Sequence, residues 1–271
     1  IITVCDDGIP VWVPGISGTP WKGFHRVEKT ENKGEKMPRG SPENPVKNMI
    51  YWTVCGPHGI IEKGIILREE KVSLMRMKVS DYIAQKLVDE GITDAFMVTG
   101  GGAMHLDDGL GHQPGLHCYF NHHEQACAIA AEAYARIHNK IAALCVTTGP
   151  GGTNAITGVV GGWLDSIPML VLSGQVRYDT TAHSTGLGIR AMGDQEFEIT
   201  KAIDCMTKYS EMVLDPMRIR FCLEKALYLA QTGRPGPCWL DIPLNVQGAY
   251  IETESLLGFD KDDYEAGGTG W

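Results

Sequence analysis

The chain has 271 residues, 43% hydrophobic and 21% charged, which supplies apolar material for a core of one or two domains and is unlike a disordered polyelectrolyte. Its 24 Lys and Arg against 33 Asp and Glu leave a formal charge of −9, which argues against a general nucleic-acid binder. No apolar run reaches the ~18 residues of a membrane span, and the start, Ile1-Ile2-Thr3-Val4-Cys5-Asp6-Asp7, lacks the basic and apolar stretches of a signal peptide.

The charge is divided unevenly. Residues 1–76 hold 11 basic and 9 acidic residues and seven of the 14 prolines, whereas the remainder holds 13 basic and 24 acidic. The middle of the first part, Lys29 to Lys47, is a polar run with nothing to bury, and apolar pieces such as Ile9 to Val13 and Ile60 to Leu67 are short. Residues 1–76 therefore read as a loop-rich segment. Met75 and Met77 stand where regular patterning begins, and either could open the folded part.

From Met77 onward short apolar strands alternate with helices. Ser80 is placed to cap a helix carrying Ile83, Leu87 and Val88 and closed by Gly91. A strand at Ala95 to Val98 runs into Gly100-Gly101-Gly102 and a weaker helix, followed by a strand near His117 to Phe120. Glu124 to His138 is the clearest helix, and Ile141 to Thr147 the next strand. After Gly149-Pro150-Gly151-Gly152 a helix begins near Thr153, then come a strand at Met169 to Leu172, a helix at Pro216 to Gln231 and a last strand at Cys238 to Ile242. Fully apolar strands in βα alternation predict an α/β fold, a doubly wound, mostly parallel sheet of about six strands with helices on both faces. Ligands are then expected at the strand carboxyl ends.

Familiar motifs fail on inspection. Gly100 to His105 and Gly149 to Asn154 each lack the last glycine of G-x-G-x-x-G, and neither has the Gly-Lys-Ser/Thr of a P-loop. His123-Glu124 begins like H-E-x-x-H, but position 127 is Cys, so no metal ligands are assigned. The eight cysteines form no Cys-x-x-Cys pair and read as reduced thiols of a cytoplasmic protein. Glu124 opens a helix made largely of alanine, a small-residue surface that lets a helix or ligand come close. A carboxyl held there would be poorly solvated and suited to sharing a proton; alternatively it is a first-turn acid that favours the helix dipole. His122 and His123 read as packing or solvated residues.

Several separated segments together carry a resemblance. His123-Glu124-Gln125, Ala131-Glu132-Ala133-Tyr134-Ala135-Arg136, Thr148 to Asn154, Asp165-Ser166-Ile167-Pro168, Ser173-Gly174-Gln175-Val176, Gly233-Arg234-Pro235-Gly236-Pro237 and Asp241-Ile242-Pro243 stand in the order and spacing of one family. They resemble the N-terminal pyrimidine-binding domain of thiamine diphosphate enzymes, in the acetolactate synthase-like branch, over residues 77–247.

The resemblance implies that Glu124 is the cofactor-activating carboxyl, bonded to the aminopyrimidine ring. It also places Gly101, Gly102, Ala103, Gly149, Pro150, Gly151, Thr153, Asn154 and Gln195 beside the cofactor, with the alanine face of the Glu124 helix near a second subunit. Gly152 and Cys127 depart from the residues usual in the branch, and Ser184 to Asp194 is not close to acetolactate synthases themselves. The family holds the diphosphate through Mg2+ on another domain bearing Gly-Asp-Gly, which this sequence lacks. Residues 248–271 then read as the start of an interdomain linker, and the chain as part of a larger or split lyase or carboligase acting on a 2-keto acid. It would work as a homo-oligomer or with a separate diphosphate-binding partner. The alternative is a non-catalytic Rossmann-like module that binds a nucleotide or a partner chain.

Overall fold

The computed structural model describes the backbone of residues 2–3, 10–11, 49–56 and 59–67 and, with side chains, residues 76–267. The chain divides into two units, Ile1–Ser73 and Leu74–Trp271. Within the first, β1 (Ile2–Thr3) pairs antiparallel with β2 (Pro10–Val11), and β3 (Met49–Gly56) with β4 (Gly59–Leu67) through a bulge at Val54/Cys55. The apolar piece Ile60 to Leu67 is thus one arm of a hairpin; the polar run Lys29 to Lys47 lies outside the described residues.

The second unit is built on six strands, all parallel, in the order β10-β11-β9-β8-β6-β7. They are β6 (Asp94–Met97), β7 (His117–Phe120), β8 (Ala142–Val146), β9 (Met169–Gln175), β10 (Tyr209–Met212) and β11 (Pro237–Pro243). Side chains alternate between two cores, as the period of two in a pleated strand requires. Ala143, Cys145, Leu170, Leu172, Leu240 and Ile242 face a core shared with α1 (Val79–Asp89), α2 (Met104–His112) and α7 (Ile219–Gln231). Leu144, Val146, Val171 and Trp239 face one shared with α3 (Glu124–His138), α4 (Pro150–Leu164) and α6 (Ile199–Ile203). Burial of both sheet faces is why these strands read as continuous apolar runs.

Several boundaries differ from the sequence reading. Ser80 is not the cap of α1: the cap is Lys78, without a side-chain bond, and Ser80 is buried in the first turn. The cause is β5 (Arg76–Lys78), which pairs antiparallel with β12 (Tyr250–Glu252) and delivers the chain already aligned, with the Val79 N–H donating to the Ala249 carbonyl at 2.9 Å. Helix α4 starts at Pro150, since a proline at the first helical position gives up an N–H that has no intrahelical partner anyway. β10, short and half-polar, has no counterpart in the predicted elements. The tail folds back: Ile251 and Leu256 join the first core, and Phe259 packs among the rings of Phe221, Tyr228 and Tyr264. Among the described residues no helix is long and apolar enough to cross a membrane.

Candidate active site

The chain leaves β6 toward the edge strand β7 and returns to β8 on the other side, so the strand order reverses between β6 and β8. At such a switch point α/β sheets bind ligands in a crevice outside the carboxyl ends of the strands. Three segments meet there: Gly100–Ala103 after β6, Asn121–Glu124 after β7, and Thr147–Asn154 after β8.

Glu124 is the first residue of α3 and is half-buried rather than deeply buried. The His123 side chain caps the helix, its Nδ1 accepting the Gln125 N–H at 3.1 Å, so this histidine has a structural task that its sequence context did not show. One Glu124 oxygen, Oε2, accepts from Asn154 Nδ2 at 3.0 Å, whereas Oε1 has no partner among the described residues. A Cβ built on Gly151 would stand 3.6 Å from that Oε1. Glu124, Gly151 and Asn154, separated in sequence, are thus brought together with one carboxylate oxygen held and the other available. Of the helix's alanines, Ala128, Ala131 and Ala135 are buried within the chain, and a Cβ on Gly158 of α4 would come within 2.5 Å of the Ala128 Cβ, whereas Ala126 is exposed.

The predicted glycines separate into different kinds. Gly149 has φ +57° and ψ −110°, and a Cβ there would fall 2.1 Å from the Gln195 carbonyl oxygen, so only glycine fits. Gln195 itself sits at φ +58° directly over this turn, which places two predicted residues in contact. Gly102 is a glycine because of the protein around it: its Cβ would collide with Thr148 Oγ1 at 1.9 Å, and its N–H donates to Thr147 Oγ1 at 3.1 Å. Gly101 differs, with nothing within 4 Å of an added Cβ. Ala103 is fully buried and belongs to the first core. Pro150 is exposed at the start of α4, and Thr153 Oγ1 donates back to the Pro150 carbonyl at 3.2 Å.

The residues that hold the Gly100–Ala103 loop escaped sequence reasoning. Asp107 Oδ2 accepts the Gly100 N–H at 3.0 Å, and Gln247 Nε2 donates to the Gly102 carbonyl at 2.7 Å from 145 positions away. Asp107 Oδ1 and Gln247 Oε1 are buried without a donor. Burial pushes the Asp107 carboxyl up to about 6, only partly opposed by the Gly100 N–H. A carboxyl whose folded value lies above its unfolded one costs stability once ionised, so this contribution is lost as pH rises from 4 through 6. Asp107→Asn removes the titration. Relative to the parent, its unfolding free energy is expected to improve by about 1–2 kcal/mol between pH 4 and 7.5, discounted for residual solvent at the carboxyl. Urea melts at the two pH values check this; a constant difference would contradict the assignment.

Residues 77–200 match the family model described as thiamine pyrophosphate enzyme, N-terminal TPP binding domain. Residues 77–200 belong to that family. The domain is also similar to the acetolactate synthase large subunit of Haemophilus influenzae, 36% identical over 170 residues, covering 63% of this chain and 28% of that protein. The corresponding protein of Lactococcus lactis is 34% identical, with 62% of this chain and 28% of that one covered. Acetolactate synthase 2, chloroplastic, of Zea mays is 34% identical, with 63% and 25% covered. The chain thus spans about a quarter of the length of these curated relatives. Glu124 lies within the matched residues, on the first turn of α3.

Proposed function

We propose that this chain supplies the pyrimidine-binding half of a thiamine diphosphate site in a larger or split enzyme of the acetolactate synthase type, a lyase or carboligase acting on a 2-keto acid. The observation that carries the reading is Glu124, with Oε2 fixed by Asn154 and Oε1 open beside the first turn of α4. That arrangement fits an aminopyrimidine, whose ring nitrogen needs a carboxyl able to share a proton. Thiamine diphosphate, when bound, supplies the electron sink for carbon–carbon bond chemistry next to a keto group. Glu124 holds or yields the proton at Oε1, Asn154 fixes the carboxylate rotamer, and the Gly149 turn with Gly101 leaves room for the ligand's edge.

The diphosphate and its Mg2+ are assigned to a domain absent from these 271 residues, in a larger protein or on a separate subunit. Among the described residues no three His, Cys, Asp or Glu side chains cluster as a metal site. The described cysteines are free thiols, which supports a reducing, cytoplasmic setting. The non-catalytic nucleotide-binding alternative is not favoured, because neither glycine loop has the phosphate-binding spacing.

A titration of thiamine diphosphate and Mg2+ into the chain, alone and with its diphosphate-binding domain, tests the reading. Tight binding is expected only in the second case. Gly101→Ala should leave the melting temperature unchanged, since its methyl meets nothing within 4 Å, yet weaken cofactor binding about tenfold, equivalent to ~1.4 kcal/mol. Unchanged affinity would remove Gly101 from the site; absence of binding in the assembled protein would overturn the function.

A further inference from the structure

The segment that carries Gln195 is fastened from two sides. Glu196 accepts the N–H groups of Ala182 at 2.7 Å, Met192 at 2.7 Å and Gly193 at 3.0 Å, so one carboxylate gathers both ends of residues 182–196. Burial works against ionisation of Glu196, but these backbone bonds outweigh it and hold the carboxyl below its ordinary value. On the other side stands Gln175, the last residue of β9 and 1% exposed. Its Nε2 donates to the Phe197 carbonyl at 2.9 Å and to Asp241 Oδ2 at 3.0 Å, and its Oε1 accepts the Val176 N–H at 3.0 Å. Asp241, also 1% exposed, accepts from Ser173 Oγ at 2.6 Å, and that oxygen accepts from Trp239 Nε1 at 2.8 Å.

Every bond in this buried group but one stays on β9, on β11 or at the end of β9. The exception is Gln175 to Phe197, which leads out of the sheet into the segment lying on the Gly149 turn. A buried carboxylate is a poor way to stabilise a sheet, since an apolar pair of the same volume does as well or better. Held by bonds on both oxygens, however, Asp241 fixes the Gln175 amide in one orientation. The next link is just as tight: Gln195, two residues before Phe197, is kept at φ +58° with its carbonyl against Gly149, where no side chain could fit.

We propose that Gln175, oriented by Asp241, is a positioning residue of the site: it clamps the 192–198 strap so that Gln195 stays seated on the Gly149 turn. The part concerning the cofactor rests on the functional reading above; the clamp itself does not.

Hydrogen–deuterium exchange followed by mass spectrometry tests the clamp on the full 271-residue chain. In the parent, amides of residues 192–198 are expected to exchange at least about tenfold slower than in an unstructured chain. Unprotected exchange there would overturn the proposal without any variant. Gln175→Met keeps the length and removes the donor. It should speed exchange of the strap about tenfold while peptides from β8 and β11 keep parental rates. A uniform rise across all peptides, or no rise in the strap, would reduce Gln175 to a residue of the core. In the assembled protein the same variant, measured well below its melting transition, should weaken thiamine diphosphate binding about tenfold, and unchanged affinity would refute the positioning role. If the parent binds no thiamine diphosphate, the functional reading fails while the exchange result still decides the clamp.

Discussion

Glu124→Gln is expected to slow proton exchange at the thiamine C2 position by ~10²–10⁴-fold in the assembled protein, the range of a general acid–base contribution, while the fold persists. The new side chain is nearly isosteric. Its carbonyl oxygen can still accept from Asn154 Nδ2, the bond that holds Oε2 at 3.0 Å in the parent. What disappears is the second oxygen as a proton-sharing group. An amide NH2 in the place of Oε1 can only donate to the pyrimidine ring, and it does not exchange a proton with it. The stability cost is limited to the favourable placement of a negative charge in the first turn of α3, about 0.3–1 kcal/mol. Nuclear magnetic resonance of C2 deuterium exchange in parent and variant gives the answer. Equal rates would return Glu124 to the simpler role of a first-turn acid.

The largest expected effect on stability comes from Gly149→Ala, about 3 kcal/mol or more. Placing an L-residue at φ +57° alone costs roughly 1–2 kcal/mol. Here ψ of −110° takes the residue outside the ordinary left-handed region as well. The methyl would also fall 2.1 Å from the Gln195 carbonyl oxygen, a backbone atom that cannot swing aside as a side chain would. Because domains of this kind are stable by only about 5–15 kcal/mol, the variant should show a clear drop in urea midpoint. Gly101→Ala is the matched control and should melt like the parent, since its added methyl is unopposed within 4 Å. A loss at Gly149 as small as that at Gly101 would mean that the turn tolerates a side chain and that the strap is not seated as described.

Much of the architecture was legible because burial on two faces leaves a strong signature. Ala142 to Val146 and Met169 to Leu172 are continuously apolar for the simple reason that each side chain enters one core or the other. The extension of β9 to Gln175 was not legible, since Ser173 and Gln175 look like surface residues until Asp241 and Trp239 are brought beside them. Ser80 misled because capping was judged from residue type alone, whereas the helix start is set by pairing of β5 with a strand near the far end of the unit. In the candidate site, Glu124 stood out as a carboxyl opening a small-residue helix, whereas Asn154 and the Gly149 turn entered through the family resemblance. Asp107, Thr147 and Gln247 could not, because they act on the backbone of the Gly100–Ala103 loop, and backbone partners leave no trace in residue spacing.

The pairing of β5 with β12 also bears on the order in which the unit is built. Met77 and Ile251, about 170 residues apart, lie opposite each other in this small ribbon, and Ile251 is buried at 2% exposure. Closing a loop of that length in an unfolded chain costs about 4–5 kcal/mol beyond a constant, so the ribbon is a poor nucleus. Once the six strands have assembled, its two halves are already neighbours and the remaining loop is short. The ribbon therefore zips last and opens first, a seam across which the start and finish of the unit come apart before the sheet does.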